Sequence, residues 1–233
     1  MFPNLAKDHR VIALDLRGHG KSDKPHDPKA YVELGQDVVR LLDHLNIARA
    51  HIVGYSLGGN ITAKLLTTDP DRFITSTLGG SSGRRHWTDQ DERDAEAAAA
   101  ELESGVPYRS LILATAPTDQ PPPTEEAIRK RSQEIVATND PLAHAALVRA
   151  RRELVVTDSQ MAAVRVPTLA VVGSADRALT GVNSLKAVWP ALKVVVIQGA
   201  VHSSANERGA QRRPLTAVRC SAKLEARLFA KCN

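Results

Sequence analysis

Short apolar runs that alternate with helix-spaced segments constrain this chain more than any other feature. Arg10-Val11-Ile12-Ala13-Leu14, His51-Ile52-Val53-Gly54, Phe73 to Leu78, Val166 to Gly173 and Lys193-Val194-Val195-Val196-Ile197 each read as a strand. Between the first two, Val32, Leu34, Val38, Val39, Leu41, Leu42 and Leu45 recur at helical spacing, which predicts a helix over 30–45. A second helix begins near Gly58 and runs through Ile61, Ala63, Leu65 and Leu66. Asp69-Pro70 ends it, because proline disfavours helix in the residue before it. Strand–helix alternation of this kind builds a parallel sheet covered by helices. The expected class is therefore α/β, with a mostly parallel central sheet flanked by helices.

From residue 83 to 164 the pattern changes. Thr88 to Glu103 is rich in Ala and Glu and reads as a helix, Pro121-Pro122-Pro123 forms a stiff break, and Thr124-Glu125-Glu126 opens another helix with cap chemistry. Asn139-Asp140-Pro141 punctuates again, and no strand pattern appears. The expected organisation is a core of residues 1–82 and 165–233, interrupted by a helical cap insertion over 83–164. Pro214 to Lys231 reads as a closing helix, with Pro214 in its first turn.

Composition narrows the function classes. The chain has 233 residues, enough for one full domain. Aromatics make up 3%, which argues against the stacking platforms that hold single-stranded nucleic acid. The net charge of +5 raises phosphate binding as a possibility, but the densest basic stretch, Arg208 to Lys231, interleaves with Leu215, Val218, Leu224 and Leu228. That pattern fits the solvated face of an amphipathic helix, and no nucleic-acid partner is expected. No apolar run approaches the roughly 18 residues of a membrane span. Residues 1–10 lack an apolar leader with a small-residue cleavage site, so a cytoplasmic location with no membrane partner is expected. Cys220 and Cys232 are then expected as free thiols.

Gly54-Tyr55-Ser56-Leu57-Gly58 matches the G-x-S-x-G pattern of a nucleophile elbow. The pattern is short, and chance alone gives roughly 0.08 matches in a chain of this length. Its position between a strand and a helix makes it specific, because the elbow is a sharp strand-to-helix turn with serine at its apex. Side chains at positions 54 and 58 are expected to collide across that turn, which would explain both glycines. A serine hydroxyl is a weak nucleophile until a base takes its proton. In this architecture the acid and then the histidine follow the serine in the chain. Asp176 stands just past the Val166–Gly173 run, and His202 just past the Lys193–Ile197 run. Catalytic groups collect at the carboxyl ends of parallel strands, so Ser56, Asp176 and His202 should share one rim. Among the other histidines, His9, His44 and His51 adjoin regular elements, His19 and His26 lie in the loop after the first run, and His86 and His144 lie in the insertion. Asp158 is the fallback acid, since the loop after the Phe73 run, Gly79-Gly80-Ser81, offers no carboxylate.

The stretch Val11-Ile12-Ala13-Leu14-Asp15-Leu16-Arg17-Gly18-His19-Gly20-Lys21-Ser22 closely resembles the strand-and-loop signature of the α/β-hydrolase superfamily. Residues 54–59 resemble its elbow, and residues 166–176 and 194–202 its acid and histidine segments. The resemblance covers residues 3 to 204, loosely through the insertion. It implies the α/β-hydrolase fold and acyl-enzyme chemistry, with Ser56 attacking a carbonyl, His202 as base and Asp176 orienting it. It implies an oxyanion donor at the Leu57 N–H. No metal and no cofactor are expected, and the expected partner is a small-molecule ester or related acyl substrate. Family members usually carry an earlier strand ending in His-Gly, whose loop supplies a second oxyanion donor. Residues 1–10 contain no such pair, so the fold is expected to be N-terminally shortened. Either the numbering starts inside a longer product, or the runs near Val11 and Ile52 pair directly. The leading functional expectation is a carboxylic-ester hydrolase. Carbon–carbon bond hydrolysis, lactone opening and perhydrolysis use the same three residues, and a noncatalytic shortened paralogue is the alternative of a different class.

Overall fold

The computed structural model describes residues 6–116 and 120–202. Four strands, β1 (Ala50–Tyr55), β2 (Phe73–Gly79), β3 (Thr168–Gly173) and β4 (Lys193–Ile197), form one sheet in the order β1-β2-β3-β4. Every pairing is parallel. In register, Tyr55 lies beside Gly79, Gly79 beside Val171, and Gly173 beside Ile197. The strands therefore end nearly level, and the loops that follow them collect on one rim.

The helices are α1 (Gln36–His44), α2 (Leu57–Thr68), α3 (Asp89–Glu103), α4 (Arg109–Thr115), α5 (Glu125–Val136), α6 (Pro141–Arg149), α7 (Asp158–Ala163) and α8 (Ala178–Val188). Ile61, Leu65 and Leu66 of α2, Val182 and Leu185 of α8, and Leu78, Ala170 and Val172 of the sheet share one buried cluster. Ala146, Leu147, Leu154, Val156 and Met161, from the stretch between β2 and β3, join the same cluster. A second, smaller core of Ala99, Leu102, Tyr108, Ala145 and Val148 holds α3 against α6. An isolated bridge between Arg84 and Val155 closes the neck of this helical stretch.

The local chemistry that starts these helices is visible in their caps. Thr88 and Asp91 form a reciprocal capping box at α3, Thr124 caps α5, and Asp140 accepts from two backbone N–H groups at α6, where Pro141 fills the first position.

Two expectations are corrected. Arg10 to Leu14 is not a strand, and it does not pair with β1. Ile12 and Leu14 are 40% and 39% exposed, and Val53 in the middle of β1 is 51% exposed. A β-branched run becomes a strand only where a neighbour about 4.8 Å away completes its hydrogen bonds, and none stands there among the described residues. The helix expected over 30–45 divides into a 3-10 turn, Pro28–Tyr31, and α1. Asp27 caps that turn, and Tyr31, 2% exposed, bonds the Pro25 carbonyl at 2.8 Å and so fixes the early bend. Beside it, the Arg17 guanidinium grips the Asp37 carboxylate through two nitrogens at 3.1 and 2.6 Å, tying the preceding loop to α1. The expected closing helix, the basic tail and both cysteines lie outside the described residues.

Candidate active site

The turn from β1 into α2 places Ser56 at φ 53° and ψ −111°, a left-handed conformation that costs a non-glycine residue roughly 1–3 kcal/mol. The surrounding packing enforces it. A Cβ on Gly54 would sit 2.1 Å from the Gly58 carbonyl oxygen and 2.4 Å from Thr62 Oγ1, so glycine is required there. The expectation for Gly58 is corrected: a Cβ there meets nothing within 4 Å. The second crowded position is Gly59, whose Cβ would lie 2.5 Å from Ser81 Cβ. The collision across the turn is thus between side chain 54 and backbone 58, while Gly59 admits the chain that leaves β2.

Three sequence-selected residues meet on the rim. His202 Nε2 lies 3.0 Å from Ser56 Oγ. His202 Nδ1 lies 3.0 and 2.9 Å from the two carboxylate oxygens of Asp176. The Asp176 side chain is 2% exposed and that of His202 17%. Asp176 is itself held, because the Ala178 N–H at the start of α8 donates to its Oδ1 at 2.8 Å. A buried carboxylate on Nδ1 selects the tautomer whose Nε2 is free to accept the serine proton. Leu57 is the first residue of α2, so its N–H has no acceptor inside the helix and points out of the helix N-terminus. Asp158, the fallback acid, heads α7 and pairs with Arg85 at 2.6 Å instead.

One residue of the site was not singled out from the sequence. Tyr55 donates a hydrogen bond from its hydroxyl to the His202 carbonyl. Burial, reinforced by the Asp176 charge, pushes its phenol up to about 12, so the donor proton stays in place at neutral pH. Its partner is 147 positions away, which no local pattern encodes. Among the described residues there is no cluster of His, Cys, Asp and Glu that could hold a metal ion, and no helix is long and apolar enough to cross a membrane.

The chain is similar to 3-oxoadipate enol-lactonase 1 of Acinetobacter baylyi, 30% identical over 179 residues, which cover 76% of this chain and 65% of that protein. It is 40% identical over 84 residues to 2-hydroxymuconate semialdehyde hydrolase of a Pseudomonas species, covering 36% of this chain and 30% of that one. Its fold matches the crystal structure of the enol-lactonase from Burkholderia xenovorans with a TM-score of 0.71 at 24% identity, over 90% of this chain and 80% of that one. The family model for the alpha/beta hydrolase fold matches residues 1–207, and the chain therefore belongs to the alpha/beta hydrolase family.

Proposed function

We propose that this chain is a serine hydrolase that opens the carbon–oxygen bond of an ester or lactone through an acyl-enzyme. The observation that carries the reading is the Ser56–His202–Asp176 chain of contacts, 3.0 Å and then 2.9 Å, at the apex of a strained elbow. His202 Nε2 takes the Ser56 proton as Oγ bonds to the carbonyl carbon. The tetrahedral oxyanion forms toward the Leu57 N–H, where the helix dipole also favours negative charge. As the intermediate collapses, the carbon–oxygen bond breaks and His202 returns the proton to the leaving alkoxide. Water, deprotonated by the same imidazole, then releases the acid. The similarity to an enol-lactonase supports the ester or lactone class.

A second reading is hydrolysis of a carbon–carbon bond, favoured by the similarity to 2-hydroxymuconate semialdehyde hydrolase. There the leaving group is a carbanion that must receive a proton at carbon, so substrates with poor carbanion leaving groups would be inert. The test is turnover of short p-nitrophenyl esters by the chain beside Ser56→Ala. Loss of at least about 1000-fold in kcat in the variant supports the ester reading. Equal, slow rates in both proteins would overturn it.

A further inference from the structure

His202 follows Gly199-Ala200-Val201, a stretch in neither helix nor strand, yet its ring must stand within hydrogen-bond reach of Ser56. Asp176 grips the Nδ1 edge of that ring and sets its rotation, while the main chain is held two residues earlier, where Ala200 accepts from the Ala175 N–H at 3.0 Å and donates to the Ile197 carbonyl at 3.2 Å. Tyr55 contacts residue 202 itself. The Tyr55 hydroxyl donates to the His202 carbonyl, and the two rings lie 5.3 Å apart, inclined at 45°. The path of the phenol ring is cleared by two consecutive glycines, the last residue of β2 and the one that follows it. A Cβ on Gly79 would sit 2.5 Å from Tyr55 Cδ2, and one on Gly80 would sit 2.9 Å from Tyr55 Cζ and 3.1 Å from His202 Cε1. Gly80 also has φ +52°, so the chain bends away at the point where the two rings need the space. Tyr55 is peptide-bonded to the nucleophile, and Ser56 N–H donates to the Gly79 carbonyl at 2.8 Å. Nucleophile, tyrosine and base main chain therefore form one short closed circuit.

We propose that Tyr55 is a positioning residue that anchors the His202 main chain to the nucleophile's own strand and so sets the distance between Nε2 and Ser56 Oγ. The proposal rests on the serine-hydrolase reading. Its consequence is kinetic, because a base misplaced by about 1 Å costs on the order of 100-fold in rate while leaving substrate binding alone. Tyr55→Phe removes the donor and keeps the ring. The measurements are kcat and KM on a p-nitrophenyl ester, the second-order rate at which a fluorophosphonate probe modifies Ser56, and the thermal midpoint. The expected result is a fall of roughly 10- to 100-fold in both kcat and probe rate, a KM within about twofold, and cooperative melting. Placing 4-aminophenylalanine at position 55 keeps a para N–H donor and should recover most of the lost rate. Probe and ester rates in Tyr55→Phe within twofold of the parent would overturn the proposal, as would a loss that the amino analogue does not recover. A parent chain whose Ser56 does not react with the probe at all would instead overturn the hydrolase reading beneath it.

Discussion

Two histidine sites in this molecule show how the same side chain is committed to different work. On the rim, His202 has a carboxylate that is 2% exposed at one nitrogen and the Ser56 hydroxyl at the other. Where the loop over 15–27 meets α6, His19 and His144 lie ring against ring, with centroids 4.3 Å apart. His144 Nδ1 lies 2.9 Å from the Tyr108 hydroxyl, and the ring also faces the Gly18 backbone in the loop. Burial first, and then the neighbouring His19, drive the His144 ring down to about 4. Burial also lowers His19, helped by the Arg151 charge and opposed by the Arg17 carbonyl and Asp15. In the proposed reaction, the first imidazole is oriented by its acid and takes the serine proton. The others are kept neutral and used as packing surface that joins the loop to the helices between β2 and β3. A carboxylate alone does not make the difference, since His26 Nε2 lies 3.0 Å from Asp140; His202 combines a buried carboxylate on one ring nitrogen with a serine hydroxyl on the other.

The sharpest way to break the comparison is to exchange the consequences. Asp176→Asn presents an amide to His202 and favours the wrong tautomer, so kcat should fall by about 1000- to 10,000-fold with the fold intact. His144→Asn should leave kcat within about threefold. Steady-state kinetics on one ester checks both, and equal losses in the two variants would erase the distinction.

The elbow offers a second contrast. Gly54→Ala drives a methyl to 2.1 Å from backbone and should cost at least about 3 kcal/mol or prevent folding. Gly58→Ala meets open space in a helix and should be neutral or stabilising by up to about 1 kcal/mol. Urea unfolding of the two variants reads the difference.

A smaller effect separates the sites by pH. The His144 value lies below its ordinary 6.5 in the folded chain, at about 4. The unfolded chain therefore binds the proton first as pH falls. Stability contributed by the neutral ring is full above about 6.5 and is lost progressively between 6.5 and 4, by at most about 3 kcal/mol. His144→Phe should flatten that slope in urea midpoints measured across the window. An unchanged slope would show that the acid sensitivity lies elsewhere.

What was legible in the sequence follows the range of the forces involved. Ser56, Asp176 and His202 were readable because each sits at a strand end marked by glycine and apolar runs, and parallel pairing brings those ends level. β4 matched its sequence pattern residue for residue, since Lys193 to Ile197 has a neighbour to pair with. Arg10 to Leu14 carries an equally good strand pattern and fails for want of a neighbour, which periodicity does not report. The G-x-S-x-G pattern marks the turn without saying which Cβ meets what, and the crowded positions are Gly54 and Gly59 rather than Gly58. Tyr55, His19 and His144 act through partners brought close by tertiary folding, and no spacing rule announces them.

The most direct test of Ser56 as the nucleophile is intact-mass and peptide analysis of the chain quenched within milliseconds of mixing with excess activated ester. An acyl adduct is expected on the peptide containing Ser56, absent in Ser56→Ala and strongly reduced in His202→Ala. Turnover without any adduct at Ser56, or an adduct that survives in Ser56→Ala, would contradict it.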